Sequence, residues 1–269
     1  MRLVFILGSH RTGTNTLASF FDQHYGNEVA SFHQYAGLRK VNIDSTRYLY
    51  GKISEHNFRK TINRVIVEHI NQQTKSTYIL SNGFNYLAAR FIEQEFNDVK
   101  IVHIVRDPRD FVQSYTNWVH GRWQSWVANK FVPFWNVSGN KIGEMTKQQW
   151  NSFNEFQRFC WYWKFKNEKI EDWYSADADS YFFIRFEDLI NKEKRVDSLN
   201  GLLNFTGLKY QSGCETFFDT KHNASKGHTL PNWQKWDKKK CRQLNEICGN
   251  LIKKYSYGSE FEWLEKIDK

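Results

Sequence analysis

The chain has 269 residues, of which 40% are hydrophobic and 17% aromatic, and this composition excludes extended disorder. The length suits one large α/β domain over residues 1–269, since two independent enzyme domains would need a longer chain. Lysine and arginine together number 38 against 29 acidic residues, so the net charge of +9 favours a polyanionic ligand, either a nucleotide or a nucleic acid.

No apolar run approaches the roughly 18 residues of a membrane-spanning helix, and the short run near the amino terminus is not followed by a small-residue cleavage site. We therefore expect a cytoplasmic chain without a transmembrane segment. Its four cysteines have no CxxC spacing, which favours reduced thiols over disulfides or a metal site.

Apolar runs that end in polar or glycine-rich turns are typical of buried parallel strands. Such runs occur at residues 3–7, 78–80, 99–105 and 181–186, and segments of helical period lie between them. This alternation predicts an α/β fold with a central parallel sheet and helices on both faces, where ligands bind at the carboxyl ends of the strands. The tryptophan-rich segment 118–150 has no clean period, and we interpret it as an insertion or lid within the domain.

The first motif is the segment after the first predicted strand, residues 8–16, which runs directly into an amphipathic helix. Gly8 and Gly13 have the spacing of a nucleotide phosphate loop, in which backbone N–H groups and the helix amino terminus converge on one anion. The Lys-Ser/Thr pair of that loop is replaced by Thr14 and Asn15, whereas a cation occurs inside the loop at Arg11. The motif predicts a phosphate site in which Arg11 reaches the oxygen of a departing group.

The second motif follows the predicted strand 99–105. Arg106 lies at the carboxyl end of this strand and Ser114 about one turn into the next helix, so both side chains can converge on a second phosphate. We expect Asp107 and Asp110 to cap that helix and Arg109 to be a solvated charge.

Together the two motifs resemble those of the sulfotransferases that use 3′-phosphoadenosine 5′-phosphosulfate (PAPS). That family has a 5′-phosphosulfate loop like residues 9–16 and a 3′-phosphate motif, Arg-(Asp/Asn)-Pro-(Arg/Lys)-Asp-x3-Ser, like residues 106–114. The likeness continues at residues 185–189 and 223–227, and it is closer to carbohydrate-type and bacterial members than to the soluble phenol and steroid enzymes. It implies a P-loop nucleotide-kinase-like topology and in-line transfer of a sulfuryl group from PAPS to a hydroxyl, without a metal and with PAP as the product.

The resemblance also implies roles for individual residues. Arg106 and Ser114 would bind the 3′-phosphate, and Lys226 and Gly227 would close over it. Phe186 would contact the nucleotide where many members have a tyrosine. The loop around the 5′-phosphosulfate, with Arg11 as the catalytic cation, comprises Ser9, His10, Arg11, Thr12, Gly13, Thr14, Asn15 and Thr16.

The resemblance implies a general base shortly after the phosphate loop, in residues 28–34 near the end of the family's second strand, where carbohydrate-type and bacterial relatives often have a glutamate. The candidates in this region are His33 and Glu28. We choose His33 because an imidazole pKa of about 6.5 suits proton abstraction at neutral pH, and Glu28 is the alternative.

Three residues are assigned to the acceptor. Asn82 falls near the position of a catalytic histidine in many members, and Trp118 and Trp123 offer apolar faces that stack on sugar rings or cover hydrophobic groups. We expect a small-molecule or glycan acceptor, and we prefer a carbohydrate or glycolipid hydroxyl. The sequence predicts neither the exact acceptor nor the oligomeric state.

Two other functions fit parts of the sequence. A P-loop kinase would use the glycine loop, but the sequence lacks the Lys-Ser/Thr pair and an evident acidic strand end for magnesium. A non-catalytic nucleotide- or RNA-binding protein would use the basic charge and the aromatic residues. The sulfotransferase hypothesis requires no nucleic acid and uses both motifs.

Overall fold

The computed structural model describes residues 1–220 and 229–268. Its strands are β1 (Arg2–Leu7), β2 (Val29–Phe32), β3 (Thr77–Ser81), β4 (Val99–Val105) and β5 (Tyr181–Arg185). Its helices are α1 (Thr14–Tyr25), α2 (Leu38–Leu49), α3 (Glu55–Ile62), α4 (Glu68–Asn71), α5 (Tyr86–Ile92), α6 (Pro108–His120), α7 (Trp123–Phe131), α8 (Lys147–Ser152), α9 (Glu155–Tyr174), α10 (Phe186–Ile190), α11 (Arg195–Thr206), α12 (Lys238–Lys254) and α13 (Phe261–Ile267). A π-helical turn at Asn63–Val67 joins α3 to α4, and short 3-10 helices lie at Cys214–Asp219 and Trp233–Lys235.

Within these described residues, the strands form one five-stranded sheet in the order β2-β3-β1-β4-β5, and every neighbouring pair is parallel. The central strands β1, β3 and β4 are almost entirely buried, as expected for parallel strands covered on both faces. The predicted fold class, an α/β fold with a central parallel sheet flanked by helices, is confirmed.

The hydrophobic core that positions the first motif lies between the sheet, α1 and α11. It joins β1 to Leu17, Phe20 and Phe21 of α1 and to the leucines of α11. The apolar residues of α1 recur at three- and four-residue spacing, so the helix buries one stripe against the sheet. This packing holds the amino end of α1 next to the carboxyl end of β1.

The described residues pack as two compact units. The first contains residues 1–8, 12–105 and 169–220 and includes the whole sheet; the second contains residues 9–11, 106–168 and 229–268. Each unit collects distant parts of the chain, so no single cut in the sequence separates them. The single domain over residues 1–269 and the lid at 118–150 stay predictions.

The tryptophan-rich segment is partly helical, because it contains α7 and α8. The sequence of α7 shows no alternation of a buried apolar stripe with a polar one, because its aromatic side chains are exposed. Ser125 is the only buried residue of this helix. No helix in the ranges 1–220 and 229–268 is long and apolar enough to cross a membrane.

Candidate active site

The loop after β1 requires glycine at both ends. A Cβ on Gly8 would lie 2.3 Å from the carbonyl oxygen of Ile104, and a Cβ on Gly13 would lie 2.4 Å from the ring of Phe186. Gly13 also has a φ of 92°, in the left-handed region that other residues rarely adopt. The predicted nucleotide residue Phe186 therefore packs directly against the turn that leads into α1.

The amino end of α1 presents backbone N–H groups without a competing side chain. Gly13 is the N-cap, no side chain within the described residues caps the helix, and its first turn contains no acidic residue. The first four N–H groups of a helix have no partner inside the helix, and the helix dipole favours an anion there. Thr14 and Thr16 are buried in this turn, so an anion would meet the backbone and the flanking loop.

The two predicted phosphate motifs meet in the second unit. The Nη1 of Arg106 donates a 3.0 Å hydrogen bond to the carbonyl oxygen of Arg11, and the Nε of Arg11 donates a 3.2 Å hydrogen bond to the Oγ of Ser114. Arg11 adopts a φ of 63°, and both arginines are half-buried. The geometry thus brings together Arg11, Arg106 and Ser114, which the sequence assigned to two different phosphates.

The electrostatics of this cluster are unfavourable without an anion. Burial, followed by the charges of Arg106 and Arg122, lowers the pKa of Arg11 to about 10. A bound polyanion would offset this repulsion, because each guanidinium forms charge-assisted hydrogen bonds with phosphate or sulfate oxygens. The sequence analysis did not single out Arg122, because it follows the carboxyl end of α6 whereas the second motif lies at the amino end of that helix.

His10 is held by two tyrosines of the second unit. Its ring stacks on Tyr115 at 5.7 Å and on Tyr162 at 5.6 Å, and the Tyr162 hydroxyl lies 2.9 Å from the His10 Nδ1. These contacts fix the conformation of the residue that precedes Arg11. Neither tyrosine was predicted, since Tyr162 lies on α9, far along the chain, and Tyr115 follows Ser114 as an ordinary helical residue.

The segment after Arg106 is anchored in the interior, which corrects one expectation. Arg109 is 1% exposed instead of solvated, and it forms ion pairs with Asp107 and Glu260. Its guanidinium also lies 4.5 Å from the ring centre of Trp233 and 4.9 Å from that of Trp263. Burial lowers the pKa of Arg109, but the hydrogen bonds and charges of Asp107 and Glu260 raise it above its ordinary value.

The capping expectation for this segment is half confirmed. Asp107 is the N-cap of α6 and its side chain accepts a hydrogen bond from the backbone N–H of Arg109, whereas Asp110 lies inside the first turn. The indole N–H of Trp163 donates to the carbonyl oxygen of Arg106 at 3.0 Å. Together these contacts fix the backbone from which Arg106 projects.

In the first unit, the ends of β2 and β3 bring His33 into a network with α1. The Nδ1 of His33 lies 2.7 Å from the carbonyl oxygen of Ser81, and the Oγ of Ser81 donates a 2.6 Å hydrogen bond to the carbonyl oxygen of Thr14. A carbonyl oxygen only accepts, so the Nδ1 carries the proton and the Nε2 holds the lone pair of the neutral ring. The role of His33 as the general base stays a prediction.

Asn82 supports the same residue. Its Nδ2 donates to the carbonyl oxygen of His33 at 2.6 Å, and its Oδ1 accepts from the backbone N–H of Phe84 at 2.8 Å. Both polar atoms of the amide are thus engaged in holding the chain after β2 and β3. The role of Asn82 in acceptor binding stays a prediction, and this network gives it a second role as a support for His33.

The remaining predicted residues have different positions. Glu28 is exposed and precedes β2, at the opposite end of that strand from His33, so the structure does not bring it to the carboxyl edge of the sheet. Trp118 is half-buried and stacks on Tyr115 at 5.7 Å, whereas Trp123 is 72% exposed. Lys226 and Gly227 lie outside the described residues. The roles of these residues stay predictions.

Among the residues that the structure describes, no three or more His, Cys, Asp or Glu side chains are grouped so that they could hold a metal ion. The cations and N–H groups described above are suited to an anionic ligand instead.

Comparison with known proteins identifies the family. Residues 4–212 match the model of the Sulfotransferase family. No curated protein sequence matches the chain.

Solved structures share the fold. The sulfotransferase domain from the curacin biosynthetic pathway has 13% identity and a TM-score of 0.53, with 95% of this chain and 98% of that one covered. The sulfotransferase domain from the Synechococcus PCC 7002 olefin synthase has 15% identity and a TM-score of 0.54, with 96% and 95% covered. A sulfotransferase from Alicyclobacillus acidocaldarius has 14% identity and a TM-score of 0.50, with 98% of both chains covered. Since the family match extends over most of the sequence, the chain belongs to the sulfotransferase family.

Proposed function

We propose that this sulfotransferase takes a sulfuryl group from PAPS and transfers it to an acceptor hydroxyl, releasing PAP. The observation that carries the proposal is the contact between the two phosphate motifs, in which Arg106 bonds to the Arg11 carbonyl and Arg11 to Ser114. A nucleotide with phosphates at both its 3′ and 5′ positions is the ligand that would use both motifs at once.

The donor set fits such a nucleotide. Arg106 and Ser114 supply a charged and a neutral hydrogen-bond donor for a 3′-phosphate. Arg11 and the amino end of α1 supply donors for the 5′-phosphosulfate, where negative charge grows on the departing phosphate oxygen. The lowered pKa of Arg11, about 10, still leaves its guanidinium charged at neutral pH.

PAPS supplies the activated sulfuryl group when it is bound. The chain contributes positioning, charge stabilisation and a base for the acceptor proton. In this proposal the Nε2 of His33 takes that proton, while its Nδ1 remains bonded to the carbonyl oxygen of Ser81. The Ser81 hydroxyl, bonded to Thr14, links the orientation of this base to the turn that begins α1.

We propose a carbohydrate or glycolipid hydroxyl as the acceptor. The supporting feature is the aromatic surface of the second unit, where Trp123 is 72% exposed and Trp118 is half-buried. Indole faces stack on sugar rings and also pack against hydrocarbon chains, so they suit an acceptor that has a sugar and a lipid part.

Nucleotide selectivity tests the donor assignment. We expect PAP to raise the melting temperature clearly more than ADP or AMP, because only PAP engages both motifs. Transfer of label from PAPS to a panel of glycans and glycolipids then identifies the acceptor. Equal stabilisation by the three nucleotides, or magnesium-dependent ATP hydrolysis, would contradict the proposal and favour a kinase.

A further inference from the structure

α7 has an unusual surface for a helix of a globular protein. Trp123 is 72% exposed, Trp126 is 38% exposed and Phe131 is 60% exposed, although aromatic side chains of this size are usually buried. At 100° per residue these three side chains and Lys130 lie within about half of the circumference of the helix. We call these four residues the α7 face.

The segment that contains α7 carries charge of one sign. Residues 111–143 contain no Asp or Glu, whereas Arg122, Lys130 and Lys141 are exposed cations in this segment. The ammonium group of Lys130 lies 4.8 Å from the ring centre of Trp126 and 5.7 Å from that of Phe131. The α7 face therefore combines exposed aromatic rings with a cation placed directly over two of them.

We infer that the α7 face docks on the surface of an anionic lipid bilayer. Tryptophan and phenylalanine insert their rings at the boundary between headgroups and acyl chains, while lysine extends its charge to the lipid phosphates. The positive charges of this segment are complementary to anionic headgroups. A nucleic acid fits less well, because its affinity depends on many phosphate contacts and the α7 face itself contributes one cation.

The position of α7 gives this docking a consequence for the enzyme. Arg122 is the N-cap of α7, and its charge is one of the causes of the lowered pKa of Arg11 in the same unit. A bilayer held by the α7 face would thus lie against the unit that contains Arg11. An acceptor carried by a membrane lipid would reach the enzyme from that surface. This inference goes beyond the proposed function, and its test does not depend on sulfuryl transfer.

Vesicle flotation tests the inference with the complete protein. Vesicles of equimolar phosphatidylglycerol and phosphatidylcholine should carry the wild-type protein, and vesicles of phosphatidylcholine alone should carry much less. The triple variant Trp123→Ser, Trp126→Ser, Phe131→Ser should lose at least tenfold in partition coefficient. Lys130→Gln alone should lose about fivefold, because one basic residue at an anionic surface contributes about 1 kcal/mol.

The matched control removes exposed apolar side chains elsewhere in the second unit. Phe261 is 76% exposed and Leu264 is 47% exposed on α13, so the double variant Phe261→Ser, Leu264→Ser should bind vesicles like the wild type. Circular dichroism and the melting temperature confirm that each variant is folded, and Lys130→Gln provides the test if the triple variant is not.

Three results would overturn the inference: no binding of wild-type protein to anionic vesicles, equal loss in the α13 control, or unchanged binding of the folded α7 variants. Gel filtration with light scattering and an oligonucleotide titration complete the experiment. A dimer that dissociates in the triple variant without vesicle binding would assign the face to a second copy of the chain. Salt-sensitive oligonucleotide binding that is lost in the triple variant, again without vesicle binding, would assign it to a nucleic acid.

Discussion

Replacing Arg106 by alanine should abolish the preference of the chain for a nucleotide with a 3′-phosphate. Arg106 is half-buried, and its Nη1 already bonds to the carbonyl oxygen of Arg11 at 3.0 Å. A guanidinium has five N–H donors in a fixed fork, so this side chain can hold the loop and bond to a phosphate at the same time.

The expected loss of PAP affinity in Arg106→Ala follows from the partial burial of Arg106. Two unit charges 4 Å apart interact by about 4 kcal/mol at the effective dielectric constant of a protein surface region. Desolvation reduces that figure, and a hydrogen bond to a charged group contributes about 1.5–3 kcal/mol net. We expect the affinity for PAP to fall by about 3 kcal/mol, or roughly 10²-fold.

Titration calorimetry with PAP and AMP separates the 3′-phosphate from the rest of the nucleotide. In the wild type PAP should bind much more tightly than AMP, and in Arg106→Ala the two should bind almost equally. Arg39→Ala, which removes an exposed arginine of α2, controls for the loss of one positive charge. A PAP affinity within threefold of the wild type would refute the assignment of Arg106 to the 3′-phosphate.

Three further predictions concern the base, the loop and the anchor of the second motif. His33→Ala should lower kcat by about 10²-fold or more without a change in PAP affinity, because only proton abstraction is lost; undiminished turnover would remove His33 from the mechanism. In urea unfolding, Gly13→Ala should lower the free energy of unfolding by about 1–3 kcal/mol more than Gly51→Ala. Both glycines have positive φ, but only Gly13 faces a ring, that of Phe186. Equal losses would show that the Phe186 ring moves to make room for the new methyl group. Glu260→Gln should destabilise the protein at neutral pH by about 1 kcal/mol or less, since the carboxylate is half exposed. Arg109 lowers the pKa of Glu260 below its ordinary 4.5, so this contribution is present above pH 4.5 and is lost as the pH falls through the folded-state pKa; a difference between variant and wild type that persists in acid would exclude the ion pair as its cause.

The sequence predicted those parts of the site that depend on strand ends. Apolar runs located β1 and β4, and the resemblance assigned the motifs that follow them to one nucleotide; the structure shows that these two strands are neighbours in a parallel sheet. The contact between Arg11 and Arg106 agrees with that assignment.

Contacts with distant parts of the chain could not be predicted in this way. The sequence predicts a solvated charge at Arg109, but its partner Glu260 lies 151 residues away and two tryptophan rings lie against its guanidinium. Its burial follows from contacts between distant residues of the second unit, which the local sequence does not indicate. The interaction of His10 with Tyr162 has the same origin, since 152 residues separate them.

Asn82 illustrates how the network changes the interpretation of a single position. Many relatives that this sequence resembles have a catalytic histidine near this point, and an asparagine amide does not abstract a proton at neutral pH. Here the amide bonds to the backbone of His33, which follows the neighbouring strand β2. Under the proposed mechanism, the base is therefore supplied by the edge strand, and the end of β3 orients it through the Ser81 carbonyl and the Asn82 amide. An Asn82→His substitution should then not restore turnover in His33→Ala. It would remove the hydrogen bond that holds the backbone of residue 33, and it would not place a basic nitrogen where the Nε2 of His33 lies.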